Sequence, residues 1–147
     1  MTKVSVKGVL IGAVVDVVAS GIVGIPLVLY VMTQMGTGAS PGQGQQNPVT
    51  AVTSLVHADT TLHSIQLALG LACSILGGYV AARIAKHDEV LNGALSSFLC
   101  ILLGIYSVAS GKALESPAEH ALLFAASFGA AALGGFLARK PGQVAAA

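Results

Sequence analysis

Charge is what this chain has least of. Lys, Arg, Asp and Glu together make up 9% of its residues, against about a quarter in a typical soluble domain, and a water-facing surface cannot be assembled from so few. Cysteine is as scarce: Cys73 and Cys100 stand alone, each inside a long apolar run, where a thiol behaves as a small hydrophobe. Two such positions supply neither a disulfide framework nor a Cys-based metal motif. Basic residues form no patch beyond short pairs flanking the apolar runs, which excludes nucleic acid as a partner. No serine sits in a nucleophile elbow, and Gly77-Gly78 and Gly134-Gly135 lie inside apolar stretches with no preceding strand, so they are not phosphate loops. The chain is not expected to be an enzyme.

What remains is apolar, with hydrophobic residues making up 54% of the chain. Four runs, about 8–32, 62–85, 91–110 and 119–138, reach the roughly 20 residues of helix that cross a hydrocarbon core of about 30 Å. They predict an all-α membrane protein, a single domain over 1–147 with four transmembrane helices set in a lipid bilayer. Lys3 and Lys7 precede the first run, but its length exceeds the roughly 7–15 apolar residues of a cleavable leader, so it reads as a retained spanning helix.

Orientation follows from where the few cations fall. Lys3, Lys7, Arg83, Lys86, Arg139 and Lys140 lie on one side of a four-helix path and Lys112 on the other, six against one. The positive-inside rule then predicts both termini in the cytoplasm of a bacterial inner membrane.

Residues 33–61 form the first outer loop, whose segment 36–47, GTGASPGQGQQN, is uncharged and Gly/Gln-rich and reads as flexible and hydrated. Asn47-Pro48 is a cap and first position for a short surface helix, with Val49, Val52, Leu55 and Val56 at helical spacing. The loop Lys86 to Glu89 is short enough to make helices two and three antiparallel neighbours. Ser116-Pro117 opens helix four, with Glu119 favouring its N-terminal dipole.

The even-numbered helices resemble each other. Leu76-Gly77-Gly78-Tyr79 leads to Arg83, and Leu133-Gly134-Gly135-Phe136 leads to Arg139 with one residue fewer between. His63 precedes Gly77 by 14 residues (77 − 63), as His120 precedes Gly134 (134 − 120). This predicts two tandem helical hairpins of the same orientation, related by an axis along the membrane normal. Tyr79 with Arg83 and Phe136 with Arg139 read as anchors at the inner interface.

Small residues at a spacing of four run through every helix: Gly8, Gly12, Asp16, Ser20, Gly24; Gly70, Ser74, Gly78, Ala82; Asn92, Ser96, Cys100, Gly104; and Ala126, Ala130, Gly134, Ala138. Such ridges let helix backbones approach closely where lipid is as apolar as leucine, so Gly8, Gly12, Gly24, Gly70, Gly78, Gly104 and Gly134 are the expected packing positions.

One carboxylate interrupts the first ridge. Asp16 lies eight residues beyond Gly8, about 12 Å along a helix rising 1.5 Å per residue, which puts it near mid-membrane with no lysine or arginine at its depth. An ionisable side chain there is a functional-site candidate by default. Asp16 is expected either to be protonated and hydrogen-bonded, with Ser20, Ser74 or Ser96 as partner, or to hold a cation or proton transiently.

A second constellation gathers on the outer face: His57, Asp59, His63, Glu115, Glu119 and His120, with Lys112 the one cation. Imidazole and carboxylate together suit a transition metal. His63 and His120, on two helices running the same way, could hold a haem axially.

The run Leu76 to Ser97, LGGYVAARIAKHDEVLNGALSS, resembles the centre of uncharacterised small four-helix bacterial integral membrane proteins. The resemblance implies a four-helix fold and no particular activity. In size, and in the acid on its first helix, the chain is also similar to small multidrug-resistance transporters. It departs from them in using Asp16 in place of glutamate, in its longer first outer loop and in having no tryptophan.

Three expectations for function follow. The first is a non-enzymatic protein acting through helix packing, as a homo-oligomer or as the accessory subunit of a membrane complex, with no cofactor. The second is a small proton- or cation-coupled transporter or channel using Asp16, with Ser20, Ser74 and Ser96 around it. The third is an outer-face metal or haem binder using His63 and His120, with His57, Asp59 and Glu119 nearby.

Overall fold

The structure is a computed structural model that describes residues 4–36, 48–110 and 117–139, and everything observed in those residues is helix, turn or short connection. The helices are α1 (Val6–Gly36), α2 (Pro48–Ala58), α3 (Thr60–Ala85), α4 (Glu89–Ser96), α5 (Phe98–Ala109) and α6 (Pro117–Leu137). Four stretches are long and apolar enough to cross a membrane: Val6–Thr33, Thr60–Ala85, Glu89–Tyr106 and Ala118–Leu137. The described residues are therefore helical as expected, with four helices long and apolar enough to span a membrane. Residues 37–47 of the first outer loop, including the cap position Asn47, together with Lys3, Lys112, Glu115, Ser116 and Lys140, lie outside the described residues.

Local chemistry explains the helix ends. The Asp59 carboxylate caps α3 by accepting hydrogen bonds from the backbone N–H groups of Thr61 at 2.8 Å and Leu62 at 3.2 Å, satisfying two donors that a helix start leaves unpaired. Lys86 ends α3 in the left-handed region, φ 58°. Asp88, φ 44°, turns the chain into α4.

Where the sequence predicts one helix over 91–110, the structure has two, broken at Ser97. The Ser96 hydroxyl donates to the Gly93 carbonyl at 2.7 Å and the Ser97 hydroxyl to the Ala94 carbonyl at 2.8 Å. The Ser97 N–H also turns back to Ala94, at 3.3 Å. Two adjacent hydroxyls competing for carbonyls of the preceding turn tighten it and interrupt the α-helical ladder.

α3 sits at the centre, with its largest interfaces against α1 and α6. Along α1 and α3 the numbering runs in opposite senses. A Cβ added at Gly8 would meet the Ala81 carbonyl oxygen at 2.8 Å, one at Gly12 the Gly77 oxygen at 2.6 Å, and one at Gly77 the Asp16 Cβ at 2.8 Å. The same closeness joins α4 to α6, where a Cβ at Gly93 would come within 2.7 Å of the Gly135 Cα and one at Gly135 within 2.5 Å of the Glu89 oxygen. At the crossing of α3 and α6, a Cβ at Gly78 would strike the Ala131 backbone and one at Gly134 the backbone of Ile75.

That last pair of contacts is reciprocal. Gly78 and Gly134 differ by 56 positions (134 − 78), and so do Ile75 and Ala131 (131 − 75). This is also the separation of Arg83 and Arg139 (139 − 83), whereas the glycine pairs and histidines align at 57 (134 − 77 and 120 − 63). The crossing thus follows the arginines. Each arginine lies over an aromatic ring just before it in the chain, Arg83 at 5.5 Å from the Tyr79 centroid and Arg139, past the end of α6, at 5.8 Å from that of Phe136.

The α3–α4 connection, the loop end, is knotted by Asn92. This fully buried side chain accepts the Ser5 backbone N–H at 2.7 Å and donates to the carbonyls of His87 at 2.9 Å and Asp88 at 3.1 Å. One amide thereby ties the start of α1 to the loop between α3 and α4. At the opposite end, the α2 end, Val52 and Val56 are buried against Val31, with Leu27 and Leu62 packed beside them.

Candidate functional site

Asp16 is 1% exposed. The Ser74 hydroxyl on α3 donates to it, 3.4 Å from Oδ1 and 3.2 Å from Oδ2, and the Cys100 thiol on α5 donates to Oδ2 at 3.3 Å. Three helices therefore converge on one carboxyl, and both side-chain donors are neutral. The serine contacts are long and a thiol is a weak donor, so the carboxyl is held without a strong partner. On α1 the nearest cation is Lys7, nine positions away (16 − 7).

Gly77 makes the arrangement possible. It lies three residues after Ser74 on the face that meets α1, and a side chain there would overlap the Asp16 Cβ and the Gly12 carbonyl. The break at Ser97 starts a new helix, α5, whose first turn presents Cys100.

Of the three serines expected around Asp16, Ser74 alone hydrogen-bonds to it. Ser96 is fully buried but gives its hydroxyl to Gly93, and Ser20, one turn along α1, faces a cavity. Cys100 was legible only as a member of a small-residue ridge, and Gly77 only as half of a glycine pair. Asn92 opened the same ridge as Cys100, and its buried amide is the one signal that marked it as more than a small residue.

The packing glycines divide into two groups. Gly8, Gly12, Gly78 and Gly134 lie against backbone or side chains of other helices, and Gly104 lies under the Phe124 ring. A Cβ at Gly24 or Gly70 would meet nothing within 4 Å. Both border a cavity of about 610 Å³ walled by α1, α3 and α6 and crossed at one end by α2. Its floor, at Ser20 and Cys73, lies one turn from Asp16 on α1 and one residue from Ser74 on α3.

The expected metal-ligating residues fall in two places. His57, Asp59 and His63 meet at the α2–α3 corner, the two imidazole rings 4.8 Å apart, with the Asp59 carboxylate engaged as the α3 cap. Glu119 and His120 lie in the first turn of α6, the His120 ring edge-on to Phe124 at 6.0 Å. Among the described residues no three His, Cys, Asp or Glu side chains come together as a metal site.

The chain matches no family model, no curated protein and no solved structure.

Proposed function

We propose that this is a multi-pass protein of a bacterial inner membrane whose activity runs through Asp16. The carboxyl binds and releases one proton or small cation, so the chain is a small coupled transporter or channel. The excess of cations at the loop end supports placing that end and both termini in the cytoplasm. The reciprocal α3–α6 crossing and the two arginine–aromatic pairs support a pair of tandem hairpins.

The observation that carries the reading is the buried Asp16, whose side-chain donors among the described residues are Ser74 and Cys100. A carboxyl at bilayer depth is costly to keep and is found where an ion or proton path needs it. Neutral donors accept both of its states. The protonated form fits with no counter-charge, and the ionised form requires a cation beside it. Close glycine packing adjoins Asp16 on its loop-end side.

Purified protein in liposomes tests this. Wild type is expected to pass protons or sodium down an imposed gradient. Asp16→Asn is expected to lose the flux while keeping its helix content and oligomeric mass. Equal flux in the two proteins would remove the coupling role.

A second reading, that the chain acts through packing as a homo-oligomer or accessory subunit, is favoured by Gly24 and Gly70, ridge positions that no described residue fills. It expects a stable complex in mild detergent and no effect of Asp16→Asn.

A further inference from the structure

We infer that the cavity between α1, α2, α3 and α6 is a binding site for an uncharged, single-chain lipophile ending in one hydrogen-bonding group. The site is separate from Asp16 and does not depend on the coupling role.

Size and lining set the chemistry. At about 610 Å³ the cavity falls inside the roughly 300–1,000 Å³ typical of small-molecule sites. Apart from Gln66 its walls are aliphatic, with Leu27, Val56 and Leu123 among them, and no charged side chain lines it. A charged ligand would lie there unpaired in a medium of low dielectric, which is prohibitive.

Of the polar side chains on the lining, Gln66 lies on the α3 wall toward the α2 end, and the other three lie together at the opposite end. Ser20, Cys73 and Ser127 line the floor, one from each wall helix. Each lies four residues, about 6 Å at 1.5 Å per residue, from Asp16, Gly77 or Ala131, which mark the closely packed level below. Serines elsewhere in the chain, such as Ser64, Ser96 and Ser97, give their hydroxyls to carbonyls of their own helix. Among the described residues the hydroxyls of Ser20 and Ser127 have no such partner, so both are available to a ligand. One polar end group at the floor and an apolar tail along the walls match the floor hydroxyls and the aliphatic walls, leaving the Gln66 amide toward the α2 end.

Access is from the side. α1 and α6 form facing walls yet make no contact with each other, and no described residue of α5 lines the cavity. Val52 and Val56 of α2 cross its far end, away from the floor. A ligand dissolved in the bilayer enters between α1 and α6 without passing through water.

The test uses a diazirine-bearing hexadecanol in phosphatidylcholine nanodiscs, with adducts mapped by peptide mass spectrometry. Labelling is expected to concentrate on α1, α3 and α6 around the cavity, to saturate, and to be displaced by unlabelled hexadecanol. Gly70→Leu and Ala126→Leu fill the cavity and should abolish it. Gly21→Leu, on α1 where a side chain meets nothing within 4 Å but outside the lining, should leave it intact, as should Asp16→Asn. Labelling spread equally over α5, or retained in both filled variants, would overturn the inference. Equal, saturable labelling by a diazirine phosphatidylcholine would show an ordinary bilayer chain in the cavity. A dimer that Gly70→Leu dissociates would show a second copy there. Either result would also overturn it.

Discussion

At the loop end of the bundle, Gly8, Gly12, Gly77, Gly78, Gly93, Gly134 and Gly135 each lie against another helix; at the α2 end, Gly21, Gly24 and Gly70 face open space. The residue type is the same and its role is opposite. Near the loop, small residues let backbones touch, and the buried amide of Asn92 is hydrogen-bonded. Toward α2, Gly24 and Gly70 border a cavity. Asp16 lies at the boundary. A helix pair can seal over part of its length and part over the rest, because a ridge of spacing four drifts about 40° per step around a helix of 3.6 residues per turn.

Substitution sharpens the contrast. Gly134→Leu is expected to have the largest effect, because its side chain would meet the Ile75 backbone, which cannot rotate aside. Overpacking ordinarily costs about 1–3 kcal/mol, and a backbone obstacle puts this variant at or above ~3 kcal/mol. Loss of the folded fraction in a denaturation series would show it. Asn92→Ala strands the Ser5 N–H and two carbonyl groups. It should cost about 1–3 kcal/mol, with faster hydrogen exchange at Ser5 as its local signature. Gly70→Ala has the smallest effect and the opposite sign. With nothing within 4 Å of the new Cβ, alanine's helix preference should stabilise by about 0.5–1 kcal/mol, read as a rise in unfolding midpoint. A loss of stability there would erase the distinction between the two ends.

Much of this was readable beforehand, and what was not has identifiable causes. Apolar runs long enough to span a bilayer announce themselves by length, and Asp16 by being an acid deep inside one of them. The break at Ser97 is invisible to hydropathy because two serines suit a helix as well as they interrupt one; hydroxyl orientation decides. Spacing identifies which residues are small but not which of them meet a neighbour, so Gly24 and Gly78 look alike in sequence. Cys100 passes as a small hydrophobe until a carboxyl is seen opposite it. The repeat aligns by its glycines at 57 and crosses by its arginines at 56, a difference that only the contact between α3 and α6 resolves.

The account rests on Asp16 being an exchangeable carboxyl at the junction of a sealed and an open region. Infrared difference spectroscopy in lipid, with Asp16→Asn as the reference, reads its carboxyl stretch directly. The predicted result is a band that switches between protonated and ionised forms within the physiological pH range and moves when a cation such as sodium is added. A carboxyl that stays protonated throughout, indifferent to cations, would contradict the account and reduce Asp16 to a hydrogen bond between helices.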